Sequence, residues 1–406
     1  MDRTILLARQ PIYDGSLGVF AYELLHRSID PEQSRVRDGD EASSMVLVDA
    51  FGSPGLAGLT DGKPAFINFT EHLILNPPPV DPGLLVVEVL EDVRPSPAVI
   101  EGLRTLRERG FRIALDDFRH EDALAPMIEL ADIVKLDVLA CDAAGLEEEV
   151  RKLRNYPVKL LAEKIESWEV YNQCVDLGFS LFQGFFLARP QPVHGLRLAP
   201  SRRALLELMV KIGAPEASVE SLANTVATDP LLGFNLIRLV NSPLYRRTVP
   251  VETLRDAISR LGIERLRGWC HLLLLTRIDG KPRELTRIAM QRARFAELLC
   301  GPSGASDSAR GFTLGIISAL DAFLDQPMSE LLPQLNLGND MGEALLARSG
   351  RLGSILQTVL AFETADWDGV PWEALGARGL DKSAVEAAYL DSIAWTRETL
   401  GTIEGR

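Results

Sequence analysis

From Ile5 to about Pro200 the chain alternates short apolar runs with stretches whose apolar residues recur every three or four positions. Such runs have strand length, and helical spacing between them predicts a parallel sheet covered by helices. The strand candidates are Ile5–Ile12, Val19–Leu25, Ala65–Phe69, Leu84–Leu90, Phe111–Leu115, Ile133–Leu136, Val158–Ala162 and Leu181–Leu187. Between several of them lie amphipathic segments such as Ala98–Arg109, where Val99, Leu103 and Leu106 share a face and Gly110 supplies the stop. Eight strands with helices between them predict a closed TIM-like α/β barrel rather than an open sheet.

After Pro200 the pattern is helical almost throughout, which predicts an all-α second domain. Asp229-Pro230 offers an N-cap followed by proline at the first helical position, and Leu232, Leu236, Leu239 and Val240 follow one face as far as Asn241-Ser242-Pro243. In the next helix Leu254, Ala257, Ile258 and Leu261 form the apolar stripe, with Gly262 at its cap. The Pro190–Pro200 stretch carries three prolines and a glycine and separates a barrel domain, residues 1–197, from a helical domain, residues 198–406.

A length of 406 residues with 46% hydrophobic positions is consistent with two such cores. No apolar run reaches the roughly eighteen residues of a membrane span, and the run after Met1-Asp2-Arg3 is too short for a secretory signal. The expected location is the cytoplasm, away from membranes. Cys141, Cys174, Cys270 and Cys300 are widely spaced, as buried thiols rather than a disulfide frame or a thiolate zinc site. A net charge of −14 argues against broad nucleic-acid binding. Arg246–Arg294 runs the other way, with twelve Lys/Arg against five Asp/Glu, and reads as solvated helix faces with acidic neighbours elsewhere in the fold. The final Ile403-Glu404-Gly405-Arg406 reads as a protease-site remnant.

The candidate chemistry lies in the first domain, where nearly every strand candidate contains or ends in a polar donor: Glu23, Asn68, Glu88, Asp116, Asp117, Lys135, Asp137, Glu163, Glu166 and Gln183. In a parallel barrel the strand carboxyl ends converge on one mouth. Carboxylate and amide oxygens suit hard cations such as Mg²⁺, Mn²⁺ or Ca²⁺, and a pair of them about 3.5–4 Å apart clamps a phosphodiester. Taken singly, a Glu at a strand end is an ordinary solvated terminus or ion-pair partner, and the bland reading of Lys135 is a neutralising partner for Asp137. Taken together, they are a costly concentration of like charge unless a cation or Lys135 offsets it.

These residues sit in segments that resemble the EAL family of cyclic-di-GMP phosphodiesterases over roughly the first half of the chain. The matching segments, in order, are Gln10-Pro11-Ile12, Tyr22-Glu23-Leu24-Leu25-His26-Arg27, Ile67-Asn68-Phe69-Thr70, Glu88-Val89-Leu90-Glu91, Leu115-Asp116-Asp117-Phe118, Val134-Lys135-Leu136-Asp137, Ala162-Glu163-Lys164-Ile165-Glu166 and Phe182-Gln183-Gly184-Phe185-Phe186. The resemblance implies that Glu23, Asn68, Glu88 and Asp116 hold one metal ion, with Asp116 and Asp117 reaching a second. It implies Mg²⁺ or Mn²⁺ as the working ion and Ca²⁺ as a non-productive substitute. Glu163 and Lys135 would be catalytic, Glu163 at the metal–water site and Lys135 orienting the attacking water. Arg27 would meet the ligand's phosphate, Gln10, Asp137, Glu166 and Gln183 would complete the dinucleotide site, and Glu91 would support a loop.

Three departures bear on activity. Arg119-His120-Glu121-Asp122 stands where active members carry a glycine-threonine-glycine loop, Leu24 stands for the alanine of the E-A-L signature, and Lys164 replaces a glycine, putting a new cation near Glu163. The second half resembles the HDOD module, a relative of metal-dependent HD phosphohydrolases, through Asp229–Leu232, Leu239–Ser242 and Ala257–Gly262. Its one histidine is His271, and Ser318 and Ala319 stand where the His-Asp pair would fall, so the module reads as a non-catalytic surface for a signalling protein. The tandem resembles EAL–HDOD signalling proteins, and EAL resemblance suggests a homodimer. Three readings stay open: a phosphodiesterase producing linear pGpG, a cyclic-di-GMP receptor without turnover, and a protein-interaction scaffold.

Overall fold

The computed structural model describes residues 5–28, 56–189, 253–262, 281–301, 305–332 and 339–404, with the single positions 219, 240 and 265. The chain forms two compact units, the first holding Met1–Leu187 and the second most of the remainder. The expected boundary at residue 197 and the segments Asp229–Leu232 and Cys270-His271 lie outside the described residues.

Eight strands close the first unit into a barrel in chain order: β1 (Ile5–Asp14), β2 (Val19–Ser28), β3 (Ala65–Phe69), β4 (Leu85–Val89), β5 (Arg112–Leu115), β6 (Ile133–Asp137), β7 (Lys159–Ile165) and β8 (Leu181–Gly184). The expected barrel is therefore present, with one correction to the all-parallel reading. β1 runs antiparallel to both neighbours, β2 and β8, while the other pairs are parallel. The reason is local. Asp14 Oδ1 accepts from the backbone N–H groups of Ser16 (2.9 Å) and Gly18 (3.0 Å), so β1 turns straight back into β2 as a hairpin, with no room for a crossover helix.

Amphipathic helices cover the later strands. In α1 (Pro97–Glu108), Ser96 Oγ accepts from Val99 N–H, Pro97 opens the first turn, and Val99, Leu103 and Leu106 are buried. Asp142 caps α2 (Ala143–Leu153) and Ser167 caps α3 (Trp168–Leu177) in the same manner. Trp168 and Tyr171 of α3 pack with Phe186, the Tyr171 and Phe186 rings stacked at 4.8 Å, behind the seam where β8 meets β1.

Inside the barrel one apolar side chain from each strand forms a layer: Ile12, Ala21, Phe66, Val86, Ala114, Ile133, Leu161 and Leu181. The registers step by two residues between β2 and β3, β4 and β5, and β6 and β7, where Glu23 pairs Phe66, Glu88 pairs Ala114 and Lys135 pairs Leu161. That stagger is what closing a sheet with tilted strands requires.

The described part of the second unit is helical, as expected. α4 (Leu254–Leu261) is capped by Thr253, whose hydroxyl accepts from Asp256 N–H, and it buries Ala257, Ile258 and Leu261. α5 (Arg283–Cys300) packs against α6 (Ala305–Ile317) and α7 (Lys382–Glu404), and its Phe295 meets Tyr389 of α7 and Phe362 of the Gly350–Thr364 helix. Ser318 follows α6, its hydroxyl donating to Gly315 O, and Arg292 donates to Ser318 O at 3.0 Å. Several cations of the basic stretch have acidic partners: Lys281 with Asp325, Arg265 with Glu297, and Arg294 with Glu297 and Asp391. Among the described residues, no helix is long and apolar enough to cross a membrane.

The seam between β7 and β8 depends on a close backbone approach. Gly184 has φ +148°, and a Cβ there would lie 2.1 Å from the Ile165 carbonyl oxygen. Gly178, at φ +98° after α3, faces open space. We expect Gly178→Ala to cost about 1 kcal/mol from backbone conformation alone, and Gly184→Ala at least about 3 kcal/mol because backbone atoms must separate. Denaturant unfolding of the two variants checks this, and equal losses would show that the seam does not need the close approach.

Candidate functional site

One pleat above the apolar layer, every strand supplies a polar side chain. Glu23, Asn68, Glu88, Asp116, Lys135, Glu163 and Gln183 each lie two residues after their strand's apolar layer residue, and Gln10 lies two before Ile12 because β1 runs the other way. The period of two in a strand sends i and i+2 to the same face, so the second layer follows from the first.

Lys135 is the centre of this layer and is 1% exposed. Its Nζ lies 2.7 Å from Glu163 Oε1, 2.8 Å from Asp116 Oδ1 and 3.5 Å from Glu23 Oε2, and it donates to Glu88 Oε1. The bland reading of Lys135 as a neutralising partner for Asp137 gives way: the ring surrounds its ammonium with other carboxylates, and Asp137, at the end of β6, bonds Lys164 instead. Gln183 Nε2 donates to Glu23 Oε2 at 2.5 Å and to Gln10 Oε1 at 3.0 Å, tying β8 to β2 and β1.

One ammonium cannot neutralise four carboxylates. Burial raises Glu163 to about 8, with Lys135 pulling the other way and the charges of Asp116 and Glu23 adding to the rise. Burial likewise pushes Glu88 well above the ordinary carboxylate range, reinforced by Glu23. Burial alone would lower Lys135, yet the four carboxylates hold it well above its ordinary value. Asp116 resists the upward push of burial through Lys135 and lies below its ordinary value.

Asp117 and Asp137 stand outside this ring. Lys164 Nζ bonds Asp137 Oδ2 at 2.6 Å and lies 3.5 Å from Asp117 Oδ1. The new cation expected beside Glu163 thus turns its ammonium to two other carboxylates. Its backbone explains the direction: Lys164 has φ +59°, inside a register irregularity between Ala162 and Ile165. A left-handed conformation costs a non-glycine residue about 1–2 kcal/mol, and sequence reading marked the lost glycine without the partners gained. Asp117 is also left-handed, at φ +38°.

The loop that lacks glycines keeps to backbone angles open to any residue. None of Arg119, His120, Glu121 and Asp122 has a positive φ. His120 N–H donates to Glu149 Oε2 of α2 at 2.8 Å, and Arg94 pairs with Glu121 at 3.7 Å. Cavities of about 230 and 270 Å³ flank Asp117–Arg119. Glu91 is exposed and lines the larger one. Glu166 is exposed just beyond β7, outside the ring. Arg27 belongs to β2 opposite Leu6, but its side chain lies outside the described residues.

The ring suits a hard cation. Among the described residues, Glu23, Glu88 and Glu163 form the one group of three His, Cys, Asp or Glu whose ligand atoms lie close enough, within 4.8 Å of one another, to share a metal ion. Asn68 Oδ1 and Gln183 Oε1 are buried with no hydrogen-bond partner. A buried acceptor left unpaired costs about 1–3 kcal/mol, and oxygens short of positive charge are what a divalent ion of the Mg²⁺ class satisfies.

Comparison with known proteins gives a match to the EAL domain over residues 56–190 and to the HDOD domain over residues 198–330. The chain is 30% identical over 402 residues to the Bacillus subtilis protein YuxH, covering 96% of this chain and 98% of YuxH. It is also 30% identical over 407 residues to the Vibrio cholerae cyclic di-GMP phosphodiesterase CdgJ, covering 97% of this chain and 93% of CdgJ. Among solved structures, an EAL domain protein from Listeria monocytogenes aligns over 47% of this chain and 89% of its own, at 21% identity and a TM-score of 0.38.

The proton-holding ring makes the cation-free barrel sensitive to pH. Glu163 and Glu88 bind protons more tightly folded than unfolded, so their stabilisation is full below the ordinary value of 4.5 and, for Glu163, is lost as pH rises through about 8. Asp116 works oppositely, but its window lies below its ordinary value of 3.8. In chelator, raising pH from about 5 to 9 is expected to lower the barrel's thermal midpoint, and Glu163→Gln to flatten that slope. Calorimetric scans across the range check it, and a midpoint that rises with pH would contradict the assignment.

Proposed function

The chain belongs to the EAL–HDOD family, and on that footing we propose that its barrel binds cyclic-di-GMP across the polar layer and hydrolyses it, with a divalent cation, to linear pGpG. The observation that carries the proposal is the ring of Glu23, Glu88, Asp116 and Glu163 around Lys135, with the buried, unpaired Oδ1 of Asn68 supplied by the strand position that pairs with Glu88. The full-length similarity to a cyclic di-GMP phosphodiesterase supports it.

Glu23, Asn68, Glu88 and Asp116 would hold the cation, with Glu163 beside them, and Mg²⁺ or Mn²⁺ would serve while Ca²⁺ would bind without turnover. When bound, the cation supplies positive charge against the phosphodiester and makes water easier to deprotonate. The protein's own part is performed by the pair Lys135 Nζ and Glu163 Oε1, 2.7 Å apart. Lys135 donates to and orients the attacking water, and Glu163 Oε1 takes its proton. In the cation-free ring the Glu163 carboxyl is raised to about 8 and holds its proton near neutrality; the positive charge of a bound cation would oppose that rise and favour the ionised form that accepts the water's proton. Gln10 and Gln183, on the β1–β8 side, would meet the dinucleotide together with Arg27. The helical unit, in this reading, carries no catalysis and presents a surface to a signalling protein in the cytoplasm; a second copy of the chain is the other expected partner.

A receptor without turnover is the second reading, and the Arg119–Asp122 loop favours it. Anchored by Glu149 and free of positive φ, that loop differs from the glycine loop of active relatives beside Asp116 and Asp117.

Incubation with cyclic-di-GMP and Mg²⁺ or Mn²⁺, followed by chromatography of the linear dinucleotide, separates the two. We expect metal-dependent product, and a fall of about 100-fold or more in Glu163→Gln while calorimetric binding in Ca²⁺ persists. Binding without product would make the protein a receptor, and neither would leave a scaffold.

A further inference from the structure

The barrel mouth holds a second cationic arrangement apart from the buried ring. Asp117 follows β5 next to Asp116, and Asp137 ends β6 as the register partner of Glu163. A second divalent ion, which the family resemblance gives to Asp116 and Asp117, would lie at the mouth beside Asp137 as well. Asp117 and Asp137 already face a positive charge, the Lys164 ammonium, 2.6 Å from Asp137 and 3.5 Å from Asp117.

Two independent features make this more than a surface ion pair. Lys164 occupies a left-handed position, φ +59°, in the β7 irregularity, where glycine is the residue without strain. Its side chain remains 51% exposed, so burial gives no packing return for that strain. What the position gains is placement: the irregularity sets the ammonium between two strand ends, whereas a regular strand would carry it to the barrel's outer face. A tethered ammonium also competes with a free ion at every concentration of that ion, because it is part of the chain.

We infer that the Lys164 ammonium stands in for a second divalent cation at the barrel mouth, so that the site takes one divalent ion per chain, held by the buried ring. This rests on the cation site of the proposed phosphodiesterase.

The test is titration of the metal-free full-length chain with Mn²⁺ alone, without nucleotide, by calorimetry and by electron paramagnetic resonance of the unbound ion. The expected result is one equivalent for the unsubstituted chain and two for Lys164→Gly, the second bound at least about tenfold more tightly than any second ion in the unsubstituted chain. Lys164→Gln, which keeps bulk and backbone but not charge, should also bind two, guarding against an effect of glycine on the fold. Adding Asp117→Asn to Lys164→Gly should return the count to one. Two equivalents in the unsubstituted chain, or one in all variants, would overturn the role of Lys164 and leave the ring's ion in place. No bound Mn²⁺ in any of them would overturn the ring's cation site and this inference together.

Discussion

Burying one ammonium among four carboxylates is the constraint on which this barrel turns. Glu23, Glu88, Asp116 and Glu163 come from four different strands, and Lys135 touches all of them. Removing ions from water costs several kcal/mol each even after relaxation, so the ring is tolerable only because Lys135 shares its charge and Glu88 and Glu163 hold their protons more tightly. The raised Glu88 and Glu163 express that deficit directly. A stability problem in the cation-free barrel and an affinity for cations are the same electrostatic fact viewed from two sides.

The apolar layer below explains why such a ring can be assembled with little loop machinery. Eight side chains from Ile12 to Leu181 fill the barrel and fix the pleat of every strand. Each polar residue then inherits its inward direction from an apolar residue two positions away. A one-residue slip in any strand would turn both outward at once, so packing that excludes water also holds the charges in place.

That coupling is also why so much of the site was legible in the sequence. The apolar-x-polar pattern in Phe66-Ile67-Asn68, Val86-Val87-Glu88 and Ile133-Val134-Lys135 carries both the strand and its functional side chain. Legibility ended where regular period ended. The antiparallel β1 follows from the Asp14–Gly18 turn, which an alternation of strands and helices does not encode. For Lys135 the sequence offers the near neighbour Asp137 as one bland partner, whereas its partners in the barrel are 19 to 112 residues away. Lys164 was visible as a substitution for glycine, but its partners depend on a local irregularity that only the register reveals. In the helical unit, the stripe and cap of α4 follow the sequence pattern, since both are local to one helix.

The buried ring and the charges at the barrel mouth draw on different parts of this architecture. The ring belongs to the strands, whose positions are fixed by the barrel as a whole. Asp117, the Arg119–Asp122 loop and Lys164 belong to strand ends and connections, where a single residue can redirect a charge without disturbing the core. Change at these positions is thermodynamically inexpensive: a glycine exchanged for lysine costs backbone strain, while the buried layer keeps its packing. A barrel organised in this way can change the charge at its rim while the buried ring of its floor stays intact. Metal stoichiometry therefore reports on the rim, and the pH dependence of cation-free stability reports on the floor, so the two can be separated by measurement in a single protein.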